Sequence, residues 1–284
     1  MNIHESLADL ISQTLPRSEA RMLLSHVLKR EHAWLVAHDD YELSGDELAR
    51  VSVFTTRRIA GEPMAYLLGV REFYGRAFRC SPAALIPRPE TELLVDQALA
   101  QIPATVPPRG VDQAPLRVVD IGTGTGCIAI TIALEWPNAS VTAIDISPDA
   151  LALASENAQR LGASVSFIES NWFAALPPEA QFDLILSNPP YIVPGDSHLS
   201  QGDLRFEPAV ALADAVDGLE SYRQLAQGAK KHLRPGGTLI IEHGFDQGDS
   251  VPALFREAGF DEVATYRDLA SHPRITSCRK PPLR

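Results

Sequence analysis

From residue 116 onward, β-branched apolar runs alternate with helical patterns, which predicts an α/β fold built on a doubly wound, mostly parallel sheet. Two further observations refine that expectation. Residues 1–75 carry their apolar side chains at helical spacing and predict a small helical bundle ahead of the sheet. The last two apolar runs, 262–266 and 274–278, come one after the other without a helix between them and predict an antiparallel hairpin at one sheet edge.

In the bundle, Leu7, Leu10 and Ile11 mark a first helix, and Ala20, Leu23, Leu24, Val27 and Leu28 a second with Ser18 as its cap. Ser44-Gly45-Asp46-Glu47 opens a later helix, whose apolar face continues through Leu48, Val51 and Ile59. Four or five helices are expected. Arg57-Arg58 reads as a solvated helix face, and the four histidines of this region have no ligand spacing. Aromatic alternation over 72–80 predicts a hairpin, and a helix begins near Glu92. Residues 101–115 hold four prolines and read as a loop. Strands are expected at about 117–121, 140–144, 164–168, 182–187 and 238–242, with helices between them. The domains are therefore drawn as 1–75, a hairpin and linker at 76–92, and 93–284.

Composition narrows the function. The chain has 284 residues, is 45% hydrophobic and carries a net charge of −11, so the broad basic footprint of a duplex-binding protein is missing. Cys80, Cys127 and Cys278 are scattered, with neither metal-ligand spacing nor a disulfide framework. No charged-then-apolar leader opens the sequence and no apolar run reaches membrane-spanning length, so a cytoplasmic setting is expected, with neither metal nor membrane.

Two motifs carry chemistry. Val118 to Ile121 runs into Gly122-Thr123-Gly124-Thr125-Gly126 and then a helical pattern. Glycines after a strand let backbone approach a ligand closely. Counted from Gly124, the pattern is a weak match to the dinucleotide fingerprint. Counted from Asp120 it is D-x-G-x-G-x-G, which resembles the S-adenosylmethionine loop of class I methyltransferases. A carboxylate here suits a cofactor with a cationic amino-acid tail and repels a pyrophosphate. The next strand ends in Asp145, 19 residues after Gly126, near the spacing of an acidic ribose-hydroxyl ligand. Ser147 with Pro148 behind it is the better helix cap, which leaves Asp145 for the ligand.

The second motif is Asn188-Pro189-Pro190-Tyr191, at the end of the strand through Phe182-Asp183-Leu184-Ile185-Leu186. The prolines stop the strand and leave bare carbonyls. An Asn oxygen and a Pro carbonyl together can grip a planar –NH2 group by both hydrogens; taken alone, the four residues read equally as a plain turn.

The whole chain is similar to the protein-(glutamine-N5) methyltransferases that modify peptide-chain release factors, the HemK/PrmC family. The resemblance rests on Gly61-Glu62-Pro63 with Tyr66-Leu67 and Gly69, and on Ile86-Pro87-Arg88-Pro89-Glu90-Thr91-Glu92. It also rests on Asp120 to Gly126, Asn188 to Tyr191, Glu207 to Leu212, and Glu242-His243-Gly244. It implies a class I methyltransferase domain behind a helical domain that helps to dock the substrate. It implies transfer of a methyl group from S-adenosylmethionine to the glutamine of a Gly-Gly-Gln loop in class I release factors. Gly122, Thr123, Gly124, Thr125 and Gly126 would line the methionine side, Asp145 the ribose and Trp172 the adenine, with Asn188 also beside the cofactor. Asn188, Pro189, Pro190 and Tyr191 would hold the glutamine, with Tyr191 packing on it. An Asp is expected before Trp172; Asn171 stands there instead, without the charge. Glu207 and Glu242-His243 are read as structural. Three other readings are a sister enzyme acting on a large-subunit ribosomal protein, an adenine-N6 nucleic-acid methyltransferase and a non-catalytic binding protein. The Pro89-Glu90-Thr91-Glu92 form of the linker favours the release factor over the first, and the net charge weighs against the second.

Overall fold

The computed structural model describes residues 1–12, 15–105, 115–214 and 216–282, without the side chains of 102–105 and 198. They form two compact units, Met1–Val70 and Arg71–Arg284.

The first unit contains α1 (Ile3–Ser12), α2 (Arg17–Leu28), α3 (His32–Ala37), α4 (Gly45–Ile59) and α5 (Met64–Leu68). Leu10, Leu23, Leu24, Val27, Leu35 and Val51 meet in one core. Ser44 caps α4 in a full capping box: its hydroxyl accepts from Glu47 N, and the Glu47 carboxylate accepts from Ser44 N at 2.8 Å. Three details differ from expectation. Ser18 lies inside α2, which starts after Pro16. Ile59 is exposed. Arg57 and Arg58 are not simply solvated: Arg57 pairs with Glu62, and Arg58 forks onto Glu19 at 2.7 and 2.9 Å, tying α4 to α2.

A hairpin of β1 (Val70–Phe73) and β2 (Arg76–Arg79) follows, all but Val70 within the second unit. Tyr74 and Gly75 both take positive φ, as a two-residue type I′ turn requires. The division between units at Val70/Arg71 falls five residues before the boundary expected at 75, so Arg71–Phe73 and β2 belong to the sheet-bearing unit. Next come α6 (Glu92–Thr105), β3 (Leu116–Ile121), α7 (Cys127–Glu135), β4 (Ala139–Asp145), α8 (Pro148–Leu161), β5 (Val165–Glu169) and β6 (Phe182–Ser187). The chain ends with α9 (Ala209–Leu212), α10 (Glu220–His232), β7 (Leu233–Glu242), α11 (Ser250–Glu257), β8 (Asp261–Arg267) and β9 (Pro273–Arg279). Backbone helix thus persists to Thr105, past Pro103, where a loop is expected; the fixed φ of proline is helix-compatible and costs one hydrogen bond. The rest of that expected loop, 106–114, lies outside the described residues.

The sheet order is β5-β4-β3-β6-β7-β9-β8. The first five strands are parallel, and β9 runs antiparallel to both β7 and β8. Strand alternation divides the core. Val118, Leu184, Leu186 and Ile240 face one layer with α6 and α7 residues; Val119, Ile185, Leu239 and Ile241 face the other with α10 and α11 residues. Two strand expectations need correction. No helix forms between β5 and β6; those residues make turns. β7 starts at Leu233, not 238: the register jumps between Phe182↔Leu233 and Leu184↔Thr238, so Pro235-Gly236-Gly237 is absorbed as a bulge.

From β3 the chain winds outward through β4 and β5, then returns to place β6 on the other side of β3. That reversal is where open α/β sheets bind ligands. Ile121 pairs with Ile144 on one side and Ser187 on the other, so the residues after β3, β4 and β6 emerge side by side.

The turn after β5 is braced from behind. A Cβ on Gly228 of α10 would fall 2.0 Å from Cδ2 of Phe173, whose ring stacks on His232 at 5.5 Å. Gly228→Ala is therefore expected to cost about 1–3 kcal/mol by overpacking, read as a lower urea midpoint at unchanged m. A midpoint at or above the parent's would show that the ring yields freely.

Candidate active site

The loop after β3 is shaped by its glycines. Gly122, Gly124 and Gly126 have φ of +74°, +55° and +80°. Their reasons differ. Gly122 and Gly124 line a cavity, and a Cβ on Gly122 would meet nothing within 4 Å. Gly126 does not line it: a Cβ there would stand 2.8 Å from Ile130 Cδ1 and 3.1 Å from Ala154 Cβ, so it is the glycine that lets α7 pack on α8. The loop spends its amides internally. Gly122 N and Thr123 N donate to Ile144 O at 2.8 and 2.9 Å, Gly126 N to Thr123 O at 2.9 Å, and Gly124 N to Asp145 Oδ2 at 2.8 Å.

Asp120 sits beneath this loop, fully buried, and accepts from the Thr123 hydroxyl at 2.6 Å. It is not part of the cavity wall. Burial pushes its carboxyl up to about 7 against the pull of Thr123. Asp145 does reach the wall, but it is already engaged. Oδ2 holds Gly124 N, and Oδ1 accepts from Ser147 N at 2.9 Å. Burial raises its carboxyl, and those amides partly offset the shift. Ser147 caps α8 through Ala150 N at 3.2 Å, with Pro148 in the first turn.

The cavity is about 340 Å³. Its far wall includes Ser170, Asn171 and Trp172. Trp172 has φ of +51°, a costly conformation for a bulky residue, and also packs on the core layer of Val119 and Ile185. Asn188, Pro189 and Pro190 close the end over β6. Tyr191 is not in the wall. Its ring packs against that core layer, burial drives its hydroxyl well above the usual range, and its carbonyl accepts from Gln247 Nε2 at 3.3 Å. Gln247 also donates to Gly218 O and accepts from the Tyr222 hydroxyl, a latch on the motif's last residue.

Asn188 is the polar group of this end. Its Nδ2 donates to Thr91 Oγ1 at 3.2 Å, and Thr91 Oγ1 donates to the buried Glu242 at 2.6 Å. Thr91 and Arg88 line the cavity, and Glu207 pairs with Arg88 and accepts from Ile86 N at 2.9 Å. In the sequence, Arg88 and Thr91 carry no signal beyond membership of the 86–92 motif. Ala83, Ala84 and Leu85, also in the wall, carry none.

Residues 112–263 match the methyltransferase-domain family, and this fold class is shared with solved structures such as a methyltransferase from Pyrococcus furiosus. That likeness has a TM-score of 0.53 at 17% identity, over 81% of this chain and 99% of the other. Residues 5–69 match the PrmC N-terminal domain family. The release factor glutamine methyltransferase of Bordetella pertussis is 51% identical over 95% of this chain and 97% of its own length. Its namesake in Neisseria gonorrhoeae is 50% identical over 92% and 93%. The chain belongs to the release factor glutamine methyltransferase family.

Proposed function

We propose that this protein transfers a methyl group from S-adenosylmethionine to the side-chain nitrogen N5 of the Gly-Gly-Gln glutamine of class I release factors. The observation that carries the chemistry is Asn188, whose NH2 is turned to Thr91 and the Glu242 carboxylate and whose Oδ1 accepts no hydrogen bond among the described residues. A glutamine amide nitrogen is a poor nucleophile because its lone pair is delocalised into the carbonyl. Oδ1 of Asn188 and the Pro189 carbonyl accept its two N–H groups and stabilise the positive charge that grows on nitrogen as it attacks, the inverse of an oxyanion hole. Alignment in a water-excluding cavity contributes up to roughly 7–11 kcal/mol. The proton leaves late, to solvent, once methylation has made the nitrogen acidic. Tyr191 packs from behind the motif and holds its end.

The residues present fit the cofactor. Four loop amides are used internally and two carboxylates sit at or beneath the loop, which suits an uncharged ribose and a cationic tail better than a pyrophosphate. Asp145 is assigned to the ribose hydroxyls, Gly122 to Thr125 to the methionine side, and Trp172 with Asn171 to the adenine. Gly126 acts through packing. When bound, the cofactor would supply a methyl group on a sulfonium, the electron pair of the S–CH3 bond staying on sulfur in the neutral product S-adenosylhomocysteine. The helical unit is assigned to substrate docking. No helix among the described residues is long and apolar enough to cross a membrane. Cys80 and Cys127 are buried thiols pushed up to about 12, inert as nucleophiles. Cys80, Cys127 and Cys278 form no disulfide among the described residues, which suits a reducing cytoplasm.

The test is a methyl-transfer assay with labelled S-adenosylmethionine, offering release factor, large-subunit ribosomal protein and bare nucleic acid in parallel. Label on the Gly-Gly-Gln glutamine is expected. Label confined to either of the others would overturn the substrate assignment.

A further inference from the structure

Thr91 ends the short 3-10 turn Pro89–Thr91, and Glu242 ends β7, 151 residues away. Both are 2% exposed, and their side chains meet at 2.6 Å behind Asn188. A threonine hydroxyl has one proton. Here that proton goes to Glu242, so toward Asn188 the Thr91 oxygen acts only as an acceptor. Two acceptors, the Thr91 oxygen and the Glu242 carboxylate that Asn188 also bonds, fix which end of the amide faces them: the NH2 end turns inward and Oδ1 is left for a ligand. The reverse orientation would set Oδ1 against those acceptors and present NH2 donors to the –NH2 of a glutamine, donor against donor. The glutamine site thus works only with one of the two amide orientations, and nothing in Asn188 itself selects between them.

Resting on the function proposed above, we propose that Thr91 and Glu242 are positioning residues that hold the Asn188 amide with Oδ1 toward the substrate nitrogen. The polarity of this chain depends on Glu242 being ionised. Burial pushes its carboxyl up to about 7; hydrogen bonds from Thr91 and Asn188 and the charge of Arg274 oppose the shift, and Glu90 reinforces it. Burial first, and the Glu242 charge after it, hold the Tyr191 and Tyr222 hydroxyls neutral, well above the usual range. Protonated Glu242 becomes a donor to Thr91, which frees the Thr91 proton to turn toward Asn188 and invert the amide. Activity is therefore expected to fall as pH drops through about 7.

The experiment compares Thr91→Ser, Thr91→Val and Glu242→Gln with the parent full-length protein. Methyl transfer to release factor is followed across pH 6–9, alongside calorimetric binding of S-adenosylmethionine. The Asn188 side-chain NH2 resonances, assigned by their loss in Asn188→Ala, give a readout that needs no turnover. Thr91→Val is expected to lower kcat about tenfold with cofactor affinity within about threefold, and Thr91→Ser to restore kcat to within about threefold, since a factor of ten corresponds to the ~1.4 kcal/mol of one hydrogen bond. The NH2 resonances should titrate near pH 7 in the parent and shift in Thr91→Val. In Glu242→Gln both that titration and the acid limb of the rate should vanish. Resonances indifferent to Thr91→Val, or an acid limb that survives Glu242→Gln, would overturn the proposal. Equal losses of kcat in the serine and valine variants, in step with their stability, would reduce Thr91 to a packing role and overturn it too. If release factor is not methylated while the resonances behave as stated, the substrate assignment fails and the positioning stands.

Discussion

Asn188→Ala is expected to lower kcat for release-factor methylation by about 10²–10³-fold, the scale seen when one preorganised hydrogen-bonding group is removed from a charge-stabilising site. The cofactor dissociation constant should change by less than about threefold. Asn188 comes directly after β6, which is buried along its whole length and stopped by two prolines, so the side chain rides on rigid backbone. Ser187 strengthens that base, because its hydroxyl donates to Ile121 O at 2.7 Å and locks the end of β6 to the strand that feeds the glycine loop. Alanine keeps this framework and removes only the carboxamide. The Pro189 carbonyl then remains as the sole assigned acceptor, one N–H of the substrate turns to water or to nothing, and the charge growing on nitrogen loses its partner. A kinetic split decides the matter: kcat down with KM for release factor nearly constant marks a group that acts in the transition state. A tenfold or larger loss of cofactor affinity with kcat intact would instead make Asn188 a cofactor ligand and sink the catalytic assignment.

Local pattern reveals much of this architecture, and distance in sequence hides the rest. The five parallel strands and the antiparallel tail are readable because buried strands are continuous apolar runs and the tail has no room for a crossover helix. The missing helix between β5 and β6 is not readable, because the turn there carries Asn171 and Trp172 into the cavity wall and is held by Phe173 beneath. The glycine loop is visible as a whole, yet sequence alone treats its three glycines alike. Only packing separates Gly122 and Gly124, which line the cavity, from Gly126, whose missing Cβ leaves room for Ile130 and Ala154. The resemblance implies that Tyr191 packs on the glutamine; its ring packs on the core layer behind the motif. Thr91 lies 97 residues from Asn188 and 151 from Glu242, and no local signal joins three such residues.

Asp145→Ala is expected to weaken cofactor binding by about 10–100-fold in calorimetry, with kcat at saturating cofactor nearly unchanged. Two losses combine. The ribose hydroxyls lose a charged acceptor, worth about 1.5–3 kcal/mol for a hydrogen bond to an ion. Gly124 N and Ser147 N also lose the carboxylate that holds the loop after β3 against the start of α8. Asp145→Asn separates the two. Its single carbonyl oxygen serves one of the two amides, and its NH2 faces the other donor to donor, so affinity should fall almost as far as in alanine despite the matched shape. Ionisation points the same way. Burial raises this carboxyl, so affinity should decline as pH falls through its folded value and the group loses an acceptor. For folding the sign is opposite. An acid raised in the folded state contributes stability below its unfolded value, roughly pH 4, and loses that contribution as pH rises through the folded one. At pH 8 the ionised carboxylate therefore burdens the fold, so the loss of melting temperature in Asp145→Ala should be small beside its loss of binding. Asparagine with parent-like affinity would show that neither the charge nor the second oxygen matters, and would remove Asp145 from the cofactor site.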